Sequence, residues 1–444
     1  MGPLHGLPIS VKDSFDITGV DSSIGMASLC FKPATTNSPL VDLLSSLGCI
    51  IIAKTNVPQT LNSLDSINNV FGRTMNPLNR LCTAGGSSGG EGVIVALRGS
   101  MVGWGADTGG SIRVPAMCNG IFGIKLSNGR IPAGGGPLLS ADGMTRCGVQ
   151  AVAGPLTRTI EDMDLVMRKV VPRSWLWAED CISSKWDLNP SLKGSGPNGE
   201  FTFGILRGDG NCVPLPPMLR LLDEVKVKLD RHPNTKTIEL LTPLAWTRCQ
   251  SVMAKLMAID GGGTMADLLE ATGEPLVPWM IGKFRRGEPK ALREVAELQA
   301  RRALLEREMM QLWIERDGGG GRRPKIDAII CLVAPHPVPE IERWNASGHT
   351  SSWTLLDYPA GTVPIRNFDN ADLELGKPQG GKVISSWDER NRQLWDEKTV
   401  DRKVYLGTPL SVQVVTPRLE DQKLIEAMRI IDTAVHREES MSKL

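Results

Sequence analysis

Two serine-glycine elements and one lysine carry the types and spacing that chemistry needs. Ser87 lies within Gly85-Gly86-Ser87-Ser88-Gly89-Gly90. Ser111 closes Ala106-Asp107-Thr108-Gly109-Gly110-Ser111, 24 positions later, and Lys12 precedes Ser87 by 75. A carboxylic amide is a poor electrophile, so its hydrolysis needs an activated nucleophile, a proton for the leaving nitrogen and donors aimed at the developing oxyanion. Each need has a candidate here. Ser111 would attack, and the glycines before it would leave consecutive backbone N–H groups pointing into one pocket as an oxyanion hole. Lys12 can act as a base only when neutral, and burial in apolar surroundings favours that state by lowering its pKa. Ser87 would relay the proton between Lys12 and Ser111.

Taken singly, these signals are ordinary. Glycine-rich loops with serine are common turns, and a lysine next to an aspartate, as Lys12 is to Asp13, is usually a solvated surface charge. No Gly-Lys-Ser/Thr follows residues 85–90, which makes phosphate cradling a poor reading. The five histidines (His5, His232, His336, His349 and His436) stand in no recognisable catalytic setting, and there is no Gly-x-Ser-x-Gly elbow.

The elements that must position these residues read as an α/β alternation. Residues 7–11 form a short apolar stretch ending at Lys12, and a loop opens after it. Ser38-Pro39 predicts a helix N-cap and first-turn proline, Leu40, Val41, Leu43 and Leu44 supply an apolar face, and Gly48 stops the helix. Ile50 to Ala53 then reads as a buried strand, the rhythm of a mainly parallel sheet. Segment 83–136 is dense in glycine, which suits close approach of backbone to a ligand. Beyond about residue 172 the texture changes. Pro, Trp, Ser and Gly crowd 172–200, Leu219, Leu222, Val225 and Leu229 mark a helix near 218–230, and a long charged helix is expected over 289–316. Gly318 to Gly321 reads as a flexible surface turn. Strands are predicted at Ala328 to Val333 and Leu410 to Val415, and a closing helix over 420–435.

Length and charge narrow the class. A chain of 444 residues can build one large α/β core with a substantial insertion. Lys and Arg total 50 against 49 Asp and Glu, so the summed field offers no general attraction to nucleic acid or an anionic membrane. Nine cysteines are scattered without C-x-x-C pairs and read as reduced, buried thiols rather than metal ligands. The first residues lack a signal-peptide pattern, and no segment reaches the ~20 apolar residues of a membrane span. A soluble, cytoplasmic protein acting on a small, largely uncharged molecule is the expectation.

Taken together, the order, spacing and flanks of these elements resemble the amidase signature family. The likeness rests on Gly6-Leu7-Pro8-Ile9-Ser10-Val11-Lys12-Asp13, Lys54-Thr55-Asn56-Val57-Pro58-Gln59, Gly85 to Gly92, and Asp107-Thr108-Gly109-Gly110-Ser111-Ile112-Arg113-Val114-Pro115. It continues through Ala153-Gly154-Pro155-Leu156 and resumes at Leu356 to Ala360 and Gly407 to Gln413. Pro58-Gln59 and Glu91-Gly92 point to the fungal acetamidase and fatty acid amide hydrolase branch.

The resemblance implies an α/β/α sandwich around a large, mixed, twisted sheet. It implies one amidase domain over 1–444, with a signature core over 1–171, a variable and mostly helical insertion over 172–325, and the rest of the core over 326–444. Ser111 would be the acylated nucleophile, Ser87 the bridging serine with a cis peptide bond, and Lys12 the base. Backbone N–H groups of Thr108, Gly109, Gly110 and Ser111 would form the hole, Leu61 would line the acyl site, and Asp107 and Arg113 would support the segment. The reaction needs no cofactor or metal. Its partner is a small-molecule amide, not nucleic acid, and a homodimer is left open.

Three departures from the family pattern stand out. Ala106 replaces the usual threonine, Leu126 replaces the usual proline after Lys125, and Lys12 lies close to residue 1, where family members usually carry a preceding helical region. With little chain before it, Lys12 is expected to be partly wetted. Two rival readings remain: a catalytically impaired remnant that only binds, and a tRNA-dependent amidotransferase subunit. The near-zero net charge and Glu91-Gly92 speak against the second.

Overall fold

The computed structural model describes all residues except 137–146, 187–193, 197–198, 317–320, 344, 379–380 and 442–444. The apolar stretch before Lys12 forms β1 (Pro8–Lys12), and Ile50–Thr55 forms β2 beside it in parallel. Eight further strands complete one sheet: β5 (Val102–Asp107), β6 (Phe122–Lys125), β7 (Val152–Thr157), β8 (Phe201–Ile205), β9 (Thr235–Glu239), β12 (Ala328–Leu332), β13 (Ala360–Asn367) and β14 (Pro409–Val415). Two small ribbons lie outside it, β3–β4 (Ile67–Asn68 and Gly72–Arg73) and β10–β11 (Ile314–Arg316 and Arg322–Pro324). The strand order is β2-β1-β5-β7-β6-β13-β14-β12-β8-β9. Both ends of the sheet pair in parallel, while its middle, from β5 through β12, is antiparallel. The sheet is therefore mixed, as expected.

Helices flank the sheet: α1 (Pro39–Ser46), α2 (Gly89–Ala96), α3 (Arg113–Asn119), α4 (Ile160–Val170), α5 (Pro216–Arg231), α6 (Leu244–Met257), α7 (Gly263–Glu270), α8 (Leu292–Met309), α9 (Gly348–Leu355), α10 (Asn370–Leu373), α11 (Ser386–Gln393) and α12 (Asp421–Met441). The main core runs along the sheet under α1, α4, α5 and α12. A second core gathers α6, α8 and α9, with Trp353 tilted against Trp246 and edge-on to Tyr358 at centroid distances of 5.0 and 6.0 Å.

Several local expectations need correction. Strand β2 is the sheet's edge, so Ile50 and Ile52 face outward and are about half exposed rather than buried. Ser38 is the N-cap residue of α1 and Pro39 its first residue, as expected, but the Ser38 side chain makes no capping bond. Its hydroxyl instead donates to the Gly135 carbonyl and accepts from the Asp16 amide. The stretch 172–325 is not simply a helical cover, because β8 and β9 extend the central sheet and bury Phe201, Phe203 and Ile205 in the main core. The charged helix is shorter than 289–316, since α8 ends at Met309 and the chain turns into the β10–β11 ribbon. In α5, Leu219 is only half-buried, and Met218 and Leu221 join Leu222, Val225 and Leu229 inside. Of the predicted Gly318–Gly321 turn, only Gly321 lies within the described residues. All nine cysteines are free, but Cys147 is exposed and Cys30, Cys49 and Cys181 are only partly covered.

Candidate active site

Lys12 ends a strand that has a neighbour on each side, β2 and β5, and α2 lies against it. The expected wetting does not occur: only 2% of Lys12 is exposed. Its Nζ donates to Ser87 Oγ at 2.7 Å and to the Ala106 carbonyl at 3.1 Å. Burial pulls its pKa from the usual lysine value down to about 7, against the opposing fields of Asp107 and Glu91. A buried lysine of this kind is poised to lose a proton near neutrality.

Ser87 follows a cis peptide bond from Gly86, as the resemblance implied, and only 2% of it is exposed. The glycines around it serve the protein's own packing more than a ligand. A Cβ at Gly86 would sit 2.6 Å from the Ser63 carbonyl, and one at Gly85, whose φ is +78°, would sit 2.8 Å from Pro115 Cα. Backbone crosses backbone here, which only glycine permits. The next residue joins the two serine loops, because the Ser88 amide donates to the Ser111 carbonyl at 3.0 Å.

Ser111 is half-buried, as are Thr108 and Gly109 beside it. Asp107, at the end of β5, holds this loop in shape. One carboxylate oxygen accepts from the Gly110 amide at 2.7 Å and from Arg113 Nη2 at 2.9 Å; the other accepts from the Ile112 amide at 3.1 Å and Arg113 Nε at 3.0 Å. Burial opposes ionisation of Asp107, yet Arg113 and these amides together hold its carboxyl below the usual range. Arg113 is fully buried and also donates to the Thr350 carbonyl, Gln413 and Thr354. Both residues are supports, as the resemblance implied.

The four expected hole donors do not all face one way. The Gly110 amide is committed to Asp107, so its N–H points into the protein. Among the described residues, the amides of Thr108, Gly109 and Ser111 have no partner. A Cβ at Gly109 would meet nothing nearer than Ser351 at 3.8 Å, so the chain there borders open space.

Leu61 lies in a separate apolar cluster, in a left-handed conformation with φ +59° after Thr60 at +64°. Ile24, Met26 and Leu269 form the centre of that cluster, and Met265, Leu268, Leu276 and Phe284 pack around it. Part of 172–325 therefore shares a wall with Leu61. Ala106 contributes its carbonyl to Lys12, and Lys125 next to Leu126 is buried, donating to the Leu126 and Tyr358 carbonyls at 2.9 and 3.0 Å.

Two contributors escaped the sequence reading. Thr350, on α9, donates its hydroxyl to the Gly109 carbonyl at 2.6 Å and supports the loop from 241 positions away, a distance no local motif spans. Glu91 was legible only as a branch marker, yet it is a fully buried carboxyl close enough to influence Lys12. Among the described residues no cluster of three or more His, Cys, Asp or Glu is placed to hold a metal ion, and no helix is long and apolar enough to cross a membrane.

Known proteins resemble this chain along most of its length. A sequence model of the family described as Amidase matches residues 1–425. An acetamidase of Emericella nidulans is 32% identical over 430 residues, covering 96% of this chain and 76% of the relative. Amidase 1 of Gibberella moniliformis is 30% identical over 440 residues, covering 96% of this chain and 79% of the relative. Among solved structures, a fatty acid amide hydrolase superposes with a TM-score of 0.82 at 28% identity, covering 98% of this chain and 74% of that one. From the matched length, the relatives and the shared mixed sheet together, the chain belongs to the amidase signature family and is an amide hydrolase.

Proposed function

We propose that this enzyme hydrolyses a carboxylic amide to acid and amine through an acyl-enzyme on Ser111, with Ser87 as the bridging serine and Lys12 as the base. The observation that carries the reading is the contact between Ser87 Oγ and the buried Lys12 Nζ, at 2.7 Å. Once Lys12 is neutral the contact reverses, and its nitrogen accepts the Ser87 proton while Ser87 takes the proton of Ser111. Ser111 Oγ then adds to the carbonyl carbon, and the oxyanion receives the amides of Thr108, Gly109 and Ser111. The proton returns through Ser87 to the leaving nitrogen, and the C–N bond breaks. Water repeats the sequence on the ester, releasing the acid and restoring Ser111. Every proton taken up by Lys12 is given back within the cycle, so no metal or cofactor is called for.

Leu61 and the cluster around it are proposed as part of the acyl wall. Turnover of acetamide against a long-chain fatty amide reads out how deep that wall lets the acyl group go. A serine-directed fluorophosphonate tests the mechanism itself. The expected result is one adduct per chain at Ser111, absent in Ser111→Ala. A folded chain that takes up no label would favour the binding-only remnant instead.

A further inference from the structure

Glu91 is a buried ionisable group that the cycle above does not use. It lies on α2, with none of its surface exposed, and its two carboxylate oxygens are met by hydroxyls. Ser10 Oγ donates to one at 2.6 Å and Thr55 Oγ1 to the other at 2.5 Å. Both hydroxyls belong to the strands that hold the lysine. Ser10 is two residues before Lys12 on β1, and Thr55 is the register partner of Lys12 on β2. The carboxyl is also pressed against β5, where a Cβ at Gly103 would sit 2.4 Å from Glu91 Oε2. Three strands and a helix thus enclose one carboxyl beneath the base.

The geometry points to Glu91 as a positioning residue that sets the pH at which Lys12 becomes a base. The inference rests on the reading of Lys12 as the base. The charged groups on the elements packed around Glu91 are few. Lys12 is on β1; Lys54, on β2, is paired with Asp13 at 3.2 Å; Asp107, at the end of β5, is closed off by Arg113 of α3 at 2.9 Å; β7 supplies none. Asp107 still acts on Lys12, and more strongly than Glu91 does, but it is paired with Arg113, so of the two carboxyls that act on Lys12 Glu91 is the one without an arginine beside it. As a carboxylate, Glu91 stabilises the Lys12 ammonium and keeps the base protonated. As a neutral acid it withdraws that support, and Lys12 can stand neutral in the same pocket. Burial pushes the Glu91 carboxyl up to about 7, and Ser10, Thr55, Lys12 and the Trp104 amide oppose that rise. The carboxyl and the amine thus exchange protons in the same pH range, and their titrations belong to the pair.

The test is the pH dependence of serine phosphonylation by the fluorophosphonate, with fluoride leaving, in the full chain, for wild type, Glu91→Gln, Thr55→Val and Lys12→Ala. Gln keeps the shape and cannot ionise, so the acid limb should move to lower pH by roughly one unit. Thr55→Val removes one donor to the carboxylate, raises the Glu91 pKa and should move the limb the same way by less. It also keeps the question open to test if Glu91→Gln does not fold. In a Lys12→Ala background, Glu91→Gln should leave the pH profile where it was. A limb that stays in place in the folded variants overturns the inference, as does a uniform loss of rate at every pH, which is what a packing role alone would give. A shift that persists in the Lys12→Ala background also overturns it. Near-normal labelling with an unchanged acid limb in Lys12→Ala would instead sink the reading of Lys12 as the base.

Discussion

At the proposed nucleophile, substitution removes the attacking oxygen itself, so Ser111→Ala should abolish hydrolysis in a steady-state assay with an amide substrate. Ser87→Ala and Lys12→Ala leave that oxygen in place but break the proton path, and each should lower kcat by roughly 10²–10⁴-fold. Near-normal turnover in Ser111→Ala would end the assignment. Burial lowers the Lys12 pKa to about 7, so the amine is charged and idle below that value and neutral above it. Activity should therefore rise from acid toward mildly alkaline pH with its acid limb near 7, and an optimum near pH 5 would contradict the scheme. Chelators should leave the rate unchanged, because two hydroxyls and one amine carry every proton. Lys12, Ser87 and Ser111 stand out as candidates in the sequence because each sits in a local string of distinctive neighbours, and the fold brings Lys12 against Ser87. Thr350 and the part played by Glu91 do not, since their partners are distant in the chain.

Among the elements, the loop from Asp107 to Arg113 is where geometry becomes chemistry. Gly110 has φ +128°, and a Cβ there would lie 2.4 Å from Thr350 Oγ1 and 3.1 Å from Val114 Cγ2. Gly110→Ala must displace either the loop or α9, turning the neighbouring amides away from the oxyanion. A loss in kcat of about 10²-fold is expected, with substrate binding less affected, since the misplaced donors act mainly in the transition state. Kinetics beside a thermal melt separate this from unfolding. An unchanged kcat would mean that the loop amides are not the hole. Period and caps were good guides to which segments become helix or strand. They failed where a neighbour decided the outcome: the position of β2 at the sheet edge leaves Ile50 and Ile52 half exposed, and Gly135 draws the Ser38 hydroxyl away from α1.

Across the whole molecule, α9 joins the second core to the site. Trp353 packs against Trp246 and Tyr358 on one side, while Thr350, three residues earlier on the same helix, holds the Gly109 carbonyl. Trp353→Ala should cost about 3–5 kcal/mol, read as a lower urea midpoint, because a large ring leaves a cavity the sheet cannot close. Activity should fall along with it, through the slackened hold on the Gly109 loop, even under conditions where the variant is folded. Full activity in the folded variant would show that the second core does not steady the Gly109 loop. The sheet itself tells the same story at larger range, since β8 and β9 come from a stretch read as a variable, mostly helical insertion.

What the chain determined by itself was local: which serines and lysine stand in signature strings, and where apolar periods change from helix to strand. Family and reaction class followed from those strings. Only the tertiary structure decided that Lys12 is dry, because its burial is built by strands from residues 50–55 and 102–107 and by α2, not by its own neighbours. The same is true of the proposed oxyanion donors. The sequence offers four consecutive amides, but the fold turns the Gly110 amide inward to Asp107, since a buried carboxylate requires donors and takes those nearest to it.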